Sequence, residues 1–329
     1  MLGLLLGDAL GASRGSVPAT GLLHAGAGGQ LACWTVEGLI RAHVRGSHKG
    51  ITTPSGVVWH AYHRWAHLRG DLPTPTGDDS WFGSGWLAGV PALAYRRGSA
   101  PATTAAIKNG RRGTLDHPAG TSLGAHAVTR TLPAGLCDWW NTRSGIAAEV
   151  AALSHAGTAV TAAALGADLI NSLSRGESIA DAVLTATAAT ARRGLPPIEI
   201  DLQHLLQLSH GTPRDRTVLQ DLTPEATAAC ALAGGVYVAA HADPGQVREA
   251  VMFAATAGDG GHAATVAGAL LGAMHGPGAF PTEWLARLEL GWPGDTLARD
   301  LVQQVSENPS GHEYASGTDP DWWQRYPGA

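Results

Sequence analysis

Apolar positions along this chain recur at three- and four-residue spacing, the period of one helix face, and never settle into the alternation of a half-buried strand. The opening GLLLGDALG reads as a first core helix, and residues 57–68 as another. Residues 145–193 are helical in pattern throughout, with Val150, Leu153, Leu165, Leu169 and Leu173 supplying the large apolar side chains. Pro196 and Pro197 break that run, and residues 211–223 read as a polar loop. Two further helical patterns, 224–241 and 244–256, lead into a stretch over 257–276, AGDGGHAATVAGALLGAMHG. There Val266, Leu270 and Met274 form one bulky stripe, and Ala and Gly make a small face that lets other backbones come close. Amphipathic patterns at 280–288 and 295–305 complete the body. The pattern predicts a single compact, multi-helix, all-α domain over residues 1–306, followed by a polar tail over 307–329. No repeat of solenoid length interrupts it. Trp322, Trp323 and Tyr326 in the tail are costly to expose, so they are expected to dock on the body or on another subunit, which leaves self-association or a protein partner open.

Several polar residues sit where helices begin. Asp259 stands three residues before His262 and is placed to accept from the first-turn N–H groups of the following helix. Gly26, Ala27, Gly28 and Gly29 precede another helix, where free N–H groups and the helix dipole suit an anion, although a plain turn explains the glycines as well. Asp78, Asp79 and Ser80 read as caps for a helix at Trp81. His60, His63 and His67 fall at i, i+3 and i+7; without a Glu after His63 or further ligands they read as a solvated or aromatic-packed face, not a zinc pair.

Composition narrows the function classes. The apolar fraction is 44%, charged residues are 15%, and a formal charge of −5 gives no reason to expect nucleic acid as a partner. Cys33, Cys137 and Cys230 are odd in number and far apart, which argues against a disulfide framework and for a reducing, cytoplasmic setting. The apolar run before Asp8 is too short for a signal peptide or a membrane span.

The 257–276 stretch resembles the C-terminal motif of the ADP-ribosylglycohydrolase family, the dinitrogenase-reductase-activating glycohydrolase group, written G-D-T-D-T before a small-residue helix. Residues 3–11 are similar to that family's opening G-x-x-x-G-D-A-x-G. Gln30, Thr35 and the run from Glu37 to Ala42 fit its T-A-E-G-L-I-R-A helix. Residues 115–136 keep Arg130, Pro133 and Gly135 of a central motif, with Ala125 and His126 in place of residues that line an ADP-ribose pocket. Ser154 and His155 match the start of T-H-x-H-P, and 280–288 resembles I-P-x-x-W-L. The resemblance spans roughly residues 3–305.

That resemblance implies an all-α fold and hydrolysis of ADP-ribosyl bonds at two Mg or Mn ions. Yet Gly26, Ala27, Gly28 and Gly29 stand where the Thr-Asp-Asp-Thr ligands belong, Gly260, Gly261 and His262 replace the end of G-D-T-D-T, and the early Glu is missing. One carboxylate, Asp259, cannot hold paired hard cations. The chain is therefore expected to bind no metal and to act as a metal-independent binder of ADP-ribose, a nucleotide or another phosphate-bearing ligand. Gly28, Gly29, Gln30, His126, Arg130, His155, Gly258, Gly260 and Gly261 are its candidate binding residues. The alternatives are an active N-glycoside hydrolase using Asp259 and His262 as acid and base, and a structural or regulatory partner.

Overall fold

In this computed structural model, which describes residues 1–72, 80–137 and 145–328, the helical periodicity becomes helices packed on helices. The first eight are α1 (Leu2–Ala12), α2 (Ala27–Lys49), α3 (Pro54–Leu68), α4 (Pro101–Lys108), α5 (His126–Thr129), α6 (Ile146–Ala152), α7 (Thr158–Ser174) and α8 (Ile179–Arg192). There follow α9 (Leu202–Gly211), α10 (Arg216–Leu222), α11 (Ala228–Ala239), α12 (Val247–Ala254), α13 (His262–His275), α14 (Thr282–Leu285), α15 (Gly291–Ser306) and α16 (Trp322–Arg325). The strands among the described residues are a two-residue pair, Gly311–His312 against Ala315–Ser316.

The pairing of α1 with α13 sits at the centre, and small residues set its closeness. A β-carbon on Gly3 would stand 2.1 Å from the Gly268 carbonyl oxygen, one on Gly7 2.0 Å from that of Ala264, and one on Gly11 2.1 Å from that of Gly261. No side chain fits there, so the two backbones touch while the bulky residues of both helices face outward into the core. Leu5, Leu6 and Leu10 on α1 and Val266 and Leu270 on α13 are fully buried. Gly7→Ala should cost about 2 kcal/mol, because forcing the helices apart outweighs the roughly 0.5–1 kcal/mol that Ala gains in helix propensity. Urea unfolding measures this, and an unchanged midpoint would show the contact to be slack.

Local capping follows the sequence. Asp201 and Asp215 accept from the first-turn N–H groups of α9 and α10, and Ser178 and Thr227 do so for α8 and α11. Three expectations change. The 145–193 run is not continuous: it breaks at Gly157 and Gly176, both with positive φ, to give α6, α7 and α8. The polar loop over 211–223 contains a helix, α10, which Asp215 starts and whose Leu219 is buried. The pattern at 280–288 yields only one turn, α14. Asp78 and Asp79 lie outside the described residues.

The tail docks on its own chain. Tyr326 is fully buried and its hydroxyl donates to Asp300 Oδ2 of α15, which also accepts from Arg325. Trp322 packs against Tyr326, while Trp323, partly exposed, meets the His48 ring edge-on at 4.8 Å. The body of the same chain covers Trp322 and Tyr326. No helix among the described residues is long and apolar enough to cross a membrane.

Candidate functional site

Asp8, near the C-terminal end of α1, reaches across to the start of α2. Its Oδ2 accepts from the backbone N–H of Gly26 and, at 3.1 Å, from that of Gly29; its Oδ1 accepts from Thr265 Oγ1 of α13 at 3.2 Å. One buried carboxylate thus ties three helices together and caps α2. Burial pushes the Asp8 pKa up, against the pull of the nearby His262 imidazole and of its three donors. Glycine makes this approach possible. A β-carbon on Gly28 would stand 2.8 Å from Asp8 Oδ1, and one on Gly29 2.9 Å from Asp8 Oδ2.

Asp259 does the same for α13. Its Oδ1 accepts from Gly261 N at 2.9 Å and its Oδ2 from Ala263 N at 2.7 Å, the capping role that its position before His262 predicts. It too is buried, which raises its pKa, and again His262 is the first opposing influence. The two glycine-rich helix starts therefore converge, each carrying an internal carboxylate, with His262 close to both.

Between them lies an imidazole pair. His126, at the start of α5, meets His262 edge-on with ring centroids 5.1 Å apart. Burial, then the neighbouring His262 and the Arg130 and Arg69 cations, hold the His126 pKa down to about 3, so it is neutral near pH 7. Thr129 Oγ1 is buried without a hydrogen-bond partner and lies 3.2 Å from where a Gly28 β-carbon would be. Asp8, Thr129 and His126 thus surround a point that only glycine leaves open, with His262 against the His126 ring.

The other candidates part company. Arg130 is fully buried and faces inward: its guanidinium donates to Thr103 Oγ1, the Val150 carbonyl and Ser154 Oγ, and lies over the Tyr62 ring at 4.7 Å. It is a structural cation, not a phosphate ligand. Gln30 is likewise occupied, donating to the Tyr95 carbonyl at 2.9 Å and accepting from Trp65 Nε1 at 3.1 Å. The expected anion cradle is closed as well. The N–H groups of Gly26 and Gly29 go to Asp8, that of Gly258 to Thr223 Oγ1 and that of Gly261 to Asp259, which leaves Gly28 and Gly260 as backbone positions not claimed in this way. The correction has one cause: buried N–H donors take an acceptor from their own chain where one is within reach. His155 is buried on Ser154, and of the α3 histidines His63 meets Trp59 and His67 meets Phe82, the aromatic-packed face that was expected.

The model of the ADP-ribosylglycohydrolase family matches residues 1–311. The chain belongs to the ADP-ribosylglycohydrolase family. A solved structure described as an ADP-ribosylglycohydrolase-related protein complex is similar over 92% of this chain and 95% of that one, with a TM-score of 0.55 at 21% identity, a likeness of fold. No curated protein matches.

As an ADP-ribosylglycohydrolase family member, the chain can be tested against the family's paired cations, and its residues do not fit them. The positions where side-chain oxygens belong carry glycine, the methyl of Ala27 or the imidazole of His262, none of which offers an oxygen, and at Gly28 and Gly29 a side chain would collide with Asp8. The carboxylates present, Asp8 and Asp259, have oxygens already engaged by N–H and O–H donors. Among the described residues no group of three or more His, Cys, Asp or Glu is arranged to hold a metal ion. Sequence reasoning missed two members of this candidate site, Thr129 and Thr265. Thr265 lies one turn beyond His262 on the same helix face, a spacing that could have revealed it.

Proposed function

We propose that this chain is a family member that does not carry out metal-dependent hydrolysis and uses its crevice to bind an ADP-ribose- or nucleotide-type ligand without metal. The observation that carries this reading is the inward turn of Asp8 and Asp259: the carboxylates at the two glycine-rich helix starts serve as helix caps. The grip on such a ligand does not come from Arg130 or from the N–H groups that these caps occupy. It falls to His126, His262, Gly28 and Gly260, and so to the uncharged parts of the ligand more than to its phosphates. Calorimetry with ADP-ribose, in magnesium and in chelator, tests it. The expected result is binding of the same affinity in both buffers and no release of ribose. Affinity that collapses in chelator, or two tightly held magnesium ions per chain, would sink the proposal.

A second reading is supported by the contact of His126 with His262 and by the closeness of His262 to both carboxylates: His262 as acid or base in metal-free cleavage of an N-glycoside. Under this reading His262→Ala lowers the rate of ADP-ribosyl or nucleoside hydrolysis in chelator by about a hundredfold or more. Equal rates for the two proteins, or no turnover by either, remove it.

A further inference from the structure

Beside the segment that carries His126 lies a cleft of about 720 Å³, within the range of small-molecule sites. Leu115, Pro118, Val160 and Leu195 give it apolar walls, and His155 is among the residues that line it. His155 is held uncharged, since burial first and then the Arg130 cation push its pKa well below the ordinary histidine value.

The hydrogen bonds beneath it decide which ring nitrogen carries the proton. Arg130 has only donors, and it donates to both Thr103 Oγ1 and Ser154 Oγ. Thr103 and Ser154 are 3.4 Å apart, and Ser154 Oγ is 3.0 Å from His155 Nδ1. If His155 Nδ1 donated to Ser154, Ser154 would pass its proton to Thr103, and the fully buried Thr103 hydroxyl would have no acceptor within this group. The opposite direction satisfies both hydroxyls and the Nδ1 of the ring: Thr103 donates to Ser154, Ser154 donates to His155 Nδ1, and the ring proton sits on Nε2.

We propose that Arg130, Thr103 and Ser154 lock His155 as its Nε2–H tautomer, and that the cleft is a binding site for an uncharged ring or amide whose acceptor atom meets that N–H. An uncharged ligand follows from the charges around the cleft. Arg193 on its wall is already paired with Asp168 through two hydrogen bonds of 2.5 and 2.8 Å, and Asp116 adds a carboxylate. An anion would therefore meet no unpaired cation among the lining residues. This inference deepens the metal-independent binding reading, but it rests on the hydrogen-bond chain and not on the absence of metal ligands.

Nitrogen-15 spectra of histidine-labelled protein, assigned by comparison with His155→Gln, test it. The expected spectrum shows His155 protonated on Nε2, with Ser154→Ala converting it to a mixture or to the other tautomer and Ser154→Thr restoring it. A ring protonated on Nδ1, or a tautomer indifferent to Ser154→Ala in a protein that remains folded, overturns the lock. A fragment set divided between uncharged amides or aza-heterocycles and carboxylic acids tests the ligand class. The His155 signals should move with the uncharged half; movement with the acids, or with no fragment at all, overturns the site. Magnesium titration leaves these signals unmoved on either outcome, so failure here is separable from failure of the metal-free reading.

Discussion

Asp8→Ala should cost about 3 kcal/mol of folding stability, measured by urea unfolding near pH 7. The substitution removes the acceptor for two backbone N–H groups at the start of α2 and for the Thr265 hydroxyl, of which the Gly29 and Thr265 bonds are buried and the Gly26 bond is partly so. Stranded buried donors cost about 1–3 kcal/mol each, so the gross penalty is larger. It is offset in part because burial already disfavours the carboxylate, as the upward shift of its pKa records. Asp8→Asn should fall between, since an amide keeps one acceptor oxygen but turns a donor toward other donors. Added phosphate should return part of the loss in Asp8→Ala and none in the wild type, because only the variant leaves the α2 N-terminus without its own anion. A variant as stable as the wild type would mean that Asp8 caps nothing of consequence, and the interpretation of the site would go with it.

Acidification from about pH 7.5 to pH 5 should remove roughly 3 kcal/mol through His126 and His155. Both have folded pKa values below the unfolded value of about 6.5. Between those values the unfolded chain binds more protons than the folded one, so stability is present above the unfolded value and is lost as pH falls. A fully buried neutral imidazole contributes about 2 kcal/mol at pH 5, and His126, which keeps an edge in solvent, contributes less. Asp8 and Asp259 act in the opposite sense. Their folded pKa values are raised, so their contribution is largest at low pH and declines as pH rises through the folded value, which offsets part of the acid loss. Unfolding curves at the two pH values should show an acid loss for the wild type that disappears when His126 and His155 are both Gln. A wild-type midpoint that does not move with pH would show that these rings are charged or solvated in the folded protein.

Much of the fold was legible because helices announce themselves locally. The 3.6-residue stripe on α13, the Asp259 cap before it and its small-residue face are all relations between neighbours in sequence. The short helix α10 escaped because seven residues carry too little periodicity to outweigh their polar character. The candidate site was legible only as a set of names. Asp259 declared its role, since a cap and its helix are adjacent in the chain. Asp8 did not, because its donors lie 18 and 21 residues away on another helix and 257 away on a third. Arg130 was misread for the same reason: a lone arginine beside a ligand motif does not reveal that its acceptors, Thr103, Val150 and Ser154, surround it from within.

By itself the sequence determined the helical class, the family, and the glycine, alanine and histidine that stand where the resembled motifs carry oxygen side chains, because each depends on residue type at a known spacing. Tertiary structure decided what took their place. Only the packing of α1 against both α2 and α13 brings Asp8 to Gly26, Gly29 and Thr265, and only packing turns Arg130 inward. The physical reason is that a buried polar group is satisfied by whatever the fold sets beside it, however distant in the chain.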